Sequence, residues 1–365
     1  MGNRRHFIKT AGGMAVAAAL GIGLLGPVQA ADPLKVGFVY ISPIGDAGWT
    51  FQHDQGRKEM EAALGDKIST KYIENVPEGA DAERVIRELA ASGYSLIYAT
   101  SFGYMNYVER VAKQFPQITL MHATGYKMGK NFGNYNARFY EGRYLNGVIA
   151  GKMSKSNVIG YVAAFPIPEV VMGINAFARG ARSVNPNAEV RVIWVNSWYD
   201  PGKEREAALT LISQGADMLT QHTDSTAVMQ AAEEKGVHAF SYHSDMEKYG
   251  PQAQLSGTTH QWGAFYTQTT QAVLDGTWKP ASTWGGVKDG MIKPVSLSPA
   301  VPAEVKELVE KLESDLRAGN FHPFAGPVVD QEGKVRVAAG QVIGDGDLNK
   351  MDYFVQGVAS KLQKK

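Results

Sequence analysis

Strand-like and helix-like segments alternate along most of this chain, and that alternation limits the folds open to it. Residues 35–41 (KVGFVYI) are apolar and β-branched and lie between prolines, which predicts a fully buried strand. Pro43, Gly45, Asp46 and Gly48 then predict a loop, and 50–64 (TFQHDQGRKEMEAAL) carries Phe51, Met60 and Leu64 on or near one helix face. The same reading predicts strands at 68–73, 94–100 and 118–123, helices at 82–92 and 105–114, and a long helix over 136–154. A second round follows, with strands at 158–165, 189–196, 218–222 and 237–242 and helices at 170–184, 204–214 and 225–235. Strands joined by helical crossovers pair in parallel, so the fold class is α/β with two doubly wound parallel sheets. The last third departs from the repeat. It predicts a strand at 254–259, a helix at 262–274, strands and turns over 284–297, a charged amphipathic helix at 302–318, a hairpin within 321–340 and a last short helix within 345–362.

A length of 365 residues fits two domains, and a net charge of +1 gives no basic surface for nucleic acid or anionic membrane. With no cysteine there is no disulfide, thiolate metal site, cysteine nucleophile or lipidated N-terminal cysteine. Arg4 and Arg5 form a twin-arginine pair ahead of an apolar run at 11–25, and Val28-Gln29-Ala30 fits a cleavage site before Ala31. Residues 1–30 are therefore expected to be a cleaved twin-arginine signal peptide that delivers the chain to the periplasm. The Gly-x-Gly-x-x-Gly match at Gly21, Gly23 and Gly26 lies inside that segment with no strand before it, and P-loop spacing is absent.

In open parallel sheets ligands bind beyond the carboxyl ends of the strands. The loops there carry Asp46 and Trp49, Phe102 and Asn106, Phe165, Trp198 and Asp200, His222, Thr223 and Asp224, and His243 and Asp245. Aromatic planes beside carboxylate, amide and imidazole groups suit a flat, polar heterocycle. The competing reading makes Trp49 a core residue and Asp46 a helix cap. His53 with Asp54, His222 with Asp224, and His243 with Asp245 are available metal-ligand pairs, but no His-x-x-x-His or Glu-x-x-His spacing links them, and no metal or cofactor is expected. There is no Gly-x-Ser-x-Gly elbow for a serine hydrolase.

Several segments together resemble the basic membrane protein family of substrate-binding proteins, which serve ABC importers. They are Gly45-Asp46-Ala47-Gly48-Trp49 with Gly56, Tyr140-Glu141-Gly142-Arg143-Tyr144-Leu145-Asn146-Gly147, Ile159-Gly160-Tyr161 leading to Pro168, Trp198-Tyr199-Asp200-Pro201, Gln214-Gly215-Ala216-Asp217, and Met351-Asp352-Tyr353. The resemblance covers essentially the whole chain after the signal segment. It implies the type I periplasmic-binding fold, two lobes crossed three times by the chain with a ligand cleft between them. The first lobe would hold 31–154 with about 260–298, and the second 155–259 with about 299–365.

Well-known members of that family are purine nucleoside receptors, which stack the base between aromatics and hold the ribose with acidic and lysine side chains. The resemblance matches Asp46, Trp49, Asn106, Trp198 and His243 to family site positions, and with Phe102, Phe165, His222 and Asp245 from the strand-end loops these make up the expected site. Trp49 stands where the family usually has Phe, Asn106 where an aspartate is common, and Asp54 replaces an aromatic two residues before Gly56. His243 aligns with the ribose-binding aspartate, and the family's lysine falls near Thr259 and His260, where this chain has none. Hydrogen bonds to charged groups contribute roughly 1.5–3 kcal/mol each, so these losses favour a free purine nucleobase such as adenine, hypoxanthine or guanine over a nucleoside. The expected partners are that ligand and the ABC permease and ATPase of the inner membrane, with the receptor a monomer that catalyses nothing and binds no nucleic acid. A nucleoside receptor, a nucleoside hydrolase or phosphorylase, and a sensor that presents ligand to a receptor kinase stay open as alternatives.

Overall fold

The computed structural model describes residues 32–362, so the expected signal peptide lies outside the described residues. The first run of elements is β1 (Leu34–Val39), α1 (Trp49–Leu64), β2 (Ile68–Ile73), α2 (Ala80–Ala91), β3 (Leu96–Ala99), α3 (Met105–Gln114), β4 (Thr119–Ala123) and β5 (Phe132–Ala137). A second run follows with α4 (Phe139–Met153), β6 (Val158–Ala163), α5 (Pro168–Val184), β7 (Glu189–Trp194), α6 (Pro201–Ser213), β8 (Met218–His222), α7 (Ala227–Lys235), β9 (His238–His243) and β10 (Gln254–His260). The remainder contains α8 (Gly263–Leu274), β11 (Ser282–Gly285), β12 (Ile292–Pro294), α9 (Ala303–Ala318), a small hairpin of β13 (Val328–Val329) and β14 (Val335–Val337), and α10 (Asp345–Leu348).

Two six-stranded sheets result, in the orders β11-β5-β4-β3-β1-β2 and β12-β10-β9-β8-β6-β7. All pairings are parallel except β10 with β12, which is antiparallel. The α/β, two-sheet architecture expected from the alternation is present. Strands such as β3 (LIYA) and β8 (MLTQH) are buried at every position, as sheets covered on both faces require. In both sheets the strand order reverses beside the first strand, between β1 and β3 and between β6 and β8. Loops leaving these strands diverge there and open a crevice at each sheet's carboxyl edge.

The alternation missed β5. Its sequence, FGNYNA, has no β-branched residue and two asparagines, so its propensity is weak. Tertiary contacts hold it: β4 and β11 pair on its two sides, and the Asn131 amide donates to the carbonyls of Ala112, Phe115 and Ile118 just before it.

Helix α4 is buried around most of its circumference and lies against α5 and β10. Glycines set that packing. A β-carbon on Gly147 would stand 2.1 Å from the Phe177 carbonyl oxygen, and one on Gly180 would stand 2.1 Å from that of Tyr144. The helices therefore touch backbone to backbone. Helix α8 returns to pack on α1 through Gly56, whose added β-carbon would meet Cβ of Trp262 at 2.8 Å. Because α4 packs on the second sheet and β12 joins it, we place the three crossings at Arg138, at Gln261 and near Gly286. The first lobe then comprises 34–137 with 263–285, and the second 139–260 with 292–362.

Candidate ligand-binding site

The loop after β1 brings the first lobe onto the second. Gly48 has φ +98°, and a β-carbon there would sit 2.0 Å from the Asp224 carbonyl oxygen, so only glycine allows this approach. Its N–H donates to Ser244 Oγ at 2.8 Å. Trp49, the first residue of α1, is 7 % exposed, and its indole N–H donates to the Thr100 carbonyl at 2.6 Å, which fixes the ring in place. From the loop between β2 and α2, Glu78 Oε1 accepts from Ser101 Oγ (2.6 Å) and Gly103 N (2.8 Å) in its own lobe and from Trp198 Nε1 (3.1 Å) in the other.

A cavity lies between the lobes. The first lobe contributes Ile41, Trp49, Ser101, Phe102 and Thr124, a mostly apolar and aromatic wall. The second contributes Trp198 and a polar group of Glu169, His222, Asp224 and His243. Two of these residues, Thr124 (φ +61°) and His243 (φ +70°), hold left-handed backbone conformations. Such geometry is costly for a β-branched residue and concentrates at ligand sites.

Burial shifts the titration of every group on the polar wall. Burial, with help from Arg143 and His260, pushes the imidazoles of His222 and His243 well below their usual range, so both are neutral at pH 7. Burial also pushes the Asp224 carboxyl well above its usual range, reinforced by Glu204 and opposed by a hydrogen bond with Ser42. Glu169 is pushed up to about 8 by burial. The one strong cation behind the wall, Arg143, is committed elsewhere: it donates to Thr220 Oγ1 (3.0 Å) and the Gln221 carbonyl (2.5 Å) and lies 3.3 Å from the centre of the Tyr242 ring. Glu169 Oε2, His222 Nδ1, Asp224 Oδ2 and His243 Nδ1 are buried with no hydrogen-bond partner among the described residues. Unpaired buried polar atoms are costly, and four at one cavity suit a ligand with donors and acceptors along its edge.

Trp49, Phe102, Trp198, His222 and His243, each expected at the site, line the cavity. Phe165 stands behind, with its ring centre 5.0 Å from that of Trp198, and faces an adjoining groove. Three expected residues lie outside. Asp46 is exposed at the rim, where it neither caps α1 nor enters the cavity; it pairs with Lys248 Nζ (3.1 Å) and accepts from the Tyr249 hydroxyl (3.2 Å) across the lobes. Asn106 is exposed and accepts from Lys127 Nζ at 2.9 Å. Asp245, also exposed, accepts from Glu247 N (3.0 Å) and Gln254 Nε2 (2.7 Å). Conversely, the sequence reading does not include Glu169, and it names Asp224 only as a strand-end loop residue and as a metal-ligand pair with His222. Glu169 follows β6 at the second position of α5, so the strand-end rule extended one turn into the helix would have found it. The described residues contain no group of three His, Cys, Asp or Glu arranged to hold a metal.

Two doubly wound lobes meeting over an aromatic and polar cavity define a bilobal ligand-binding protein. The model of the Bmp family, described as PnrA-like ABC transporter substrate-binding proteins, matches residues 34–318, and the chain belongs to that family. A purine-binding protein of Brucella abortus is 51 % identical over 96 % of this chain and 99 % of its own length. A putative ABC transporter glucose-binding protein of Haloferax volcanii is 38 % identical over 91 % of this chain and 82 % of its own length. Among solved structures, an ABC transporter solute-binding protein from Aeropyrum pernix shares the fold at TM-score 0.68 with 18 % identity, covering 80 % of this chain and 93 % of that one. The protein is thus an extracytoplasmic substrate-binding component of ABC transport, not an enzyme, and its partners are a small-molecule ligand and an ABC permease.

Proposed function

We propose that this protein captures a purine nucleobase between its lobes and delivers it to the permease. The observation that carries this reading is the cavity itself. Its lining brings Trp49, Phe102 and Trp198 together with Glu169, His222, Asp224 and His243, the mix of aromatic faces and a few convergent polar groups that small-molecule sites use. Its faces are aromatic and its edge is polar, with neutral imidazoles and with carboxyls that burial pushes up. Where the resembled nucleoside receptors place a ribose-binding aspartate this chain has His243, and their lysine falls near Thr259 and His260, where this chain has none. His243 and His260 are both buried, and their rings pack 4.9 Å apart beside Trp49 and Tyr242. That packing supports a site in which the room for a sugar is filled. The kinship to a purine-binding protein over nearly the whole chain supports the purine assignment. The twin-arginine pair supports a periplasmic location, and membership of an ABC importer family supports an inner-membrane ATPase as the partner that powers import.

Thermal shift followed by calorimetry with adenine, hypoxanthine, guanine, their nucleosides and glucose tests this reading. A ligand at a hundred times its dissociation constant adds about 2.7 kcal/mol of stability. Binding of bases without nucleosides is the expected outcome. Tight nucleoside binding with none to any base, or a shift with glucose alone, would overturn it.

A further inference from the structure

We propose that Glu169 reads the ligand as a neutral carboxylic acid, donating through its O–H and accepting through its C=O in one two-point contact. The ligand edge that matches is a ring nitrogen beside an amino group, as in 6-aminopurines, or a ring N–H beside a carbonyl, as in 6-oxopurines. The inference rests on the nucleobase reading and adds the group that recognises the base.

Of the two carboxyls at the cavity, Glu169 is the more accessible, at 13 % against 5 % for Asp224. It lines the cavity and has a buried Oε2 without a partner. Two buried carboxylates hold cations, Asp54 with Arg57 at 2.8 Å and Lys58 at 2.9 Å, and Asp330 with Arg336 at 2.6 Å, while buried Glu204 is satisfied by Ser225 and the Asp200 N–H. Glu169 has no such cation. Its one neighbour within ion-pair range among the described residues is His222, at 3.6 Å, and that imidazole is neutral. The other groups around it are Asn136 from β5, Arg143 from α4, Tyr161 from β6 and Tyr242 from β9. The first turn of α5, Asn136 and Arg143 all favour the charged form, yet burial outweighs them and holds the proton on up to about pH 8. A carboxylic acid offers one donor and one acceptor side by side. A carboxylate offers acceptors alone and would repel a carbonyl or a bare ring nitrogen.

Calorimetry with adenine at pH 6, 7, 8 and 9 on the wild type, Glu169→Gln and Glu169→Ala tests this. A carboxamide keeps one donor and one acceptor, so Glu169→Gln should bind within about threefold of wild type at pH 7 and stay flat to pH 9. The wild type should weaken roughly tenfold from pH 7 to pH 9, because only the protonated fraction competes for ligand. Comparison with the Gln variant cancels any titration of adenine itself. Glu169→Ala should weaken at least tenfold throughout. A tenfold loss in Glu169→Gln with its melting temperature unchanged, or a wild-type affinity flat to pH 9, overturns the inference while leaving the nucleobase reading intact. Failure of the wild type to bind any base removes both.

Discussion

The indole nitrogen of Trp198, on the second lobe, donates to a carboxylate oxygen of Glu78, on the first, at 3.1 Å. The same oxygen accepts from Ser101 Oγ and Gly103 N on either side of Phe102. One acceptor thus positions aromatics from both lobes, and its contact with Trp198 exists only when the lobes meet.

Glu78→Ala should therefore speed ligand release more than it slows capture. The bond is partly solvated, so its loss is worth about 0.5–1.5 kcal/mol, a threefold to tenfold rise in dissociation rate. Stopped-flow fluorescence of the tryptophans would read it. An unchanged dissociation rate would mean that Trp198 is held by stacking alone.

Trp49 and Trp198 should separate stability from affinity. Trp49 is buried and anchored to Thr100, so Trp49→Ala should cost about 3–5 kcal/mol of folding stability. Trp198 is half-buried over the cavity, so Trp198→Ala should leave stability within about 1 kcal/mol and weaken base binding by about 1–3 kcal/mol, using nucleic-acid base stacking as the guide. Urea denaturation and calorimetry on both variants would show the split.

Glu141 sits where the chain crosses back near Gly286, and its Oε2 accepts from Val287 N at 2.6 Å. Burial pushes its carboxyl up to about 7, while the Val287 bond and Arg138 pull it down. The folded state thus holds this proton more tightly than the unfolded chain. The contribution is complete below the ordinary glutamate range and is lost as pH rises through about 7. Glu141→Gln should melt close to wild type at pH 5 and above it at pH 8.5, by up to about 3 kcal/mol. Melting curves at the two pH values check the sign.

Gly180→Ala should drive α4 and α5 apart, because its β-carbon would meet the Tyr144 carbonyl oxygen at 2.1 Å. Overpacking of this kind costs about 1–3 kcal/mol. Denaturant titration should show a lower midpoint with an unchanged slope.

The amino-acid sequence by itself determined the architecture. Short buried runs alternating with amphipathic ones permit parallel sheets covered by helices and little else, and β8 falls at the 218–222 read from its residues. It also pointed to the strand-end loops, since open parallel sheets offer their crevice there. Weak local signals hid β5, whose asparagine-rich strand forms because β4 and β11 flank it. Tertiary structure alone decided which loop residues turn inward. His243 and Asp245 are two residues apart, yet one is buried at the cavity and the other caps a turn in solvent. Asp46 and Trp49 divide the same way. A side chain's direction follows from local backbone angles, and these are set by contacts distant in sequence, such as Gly48 against Asp224. The titration shifts along the polar wall were equally out of reach. They come from burial between two lobes, which no residue carries until the chain has closed.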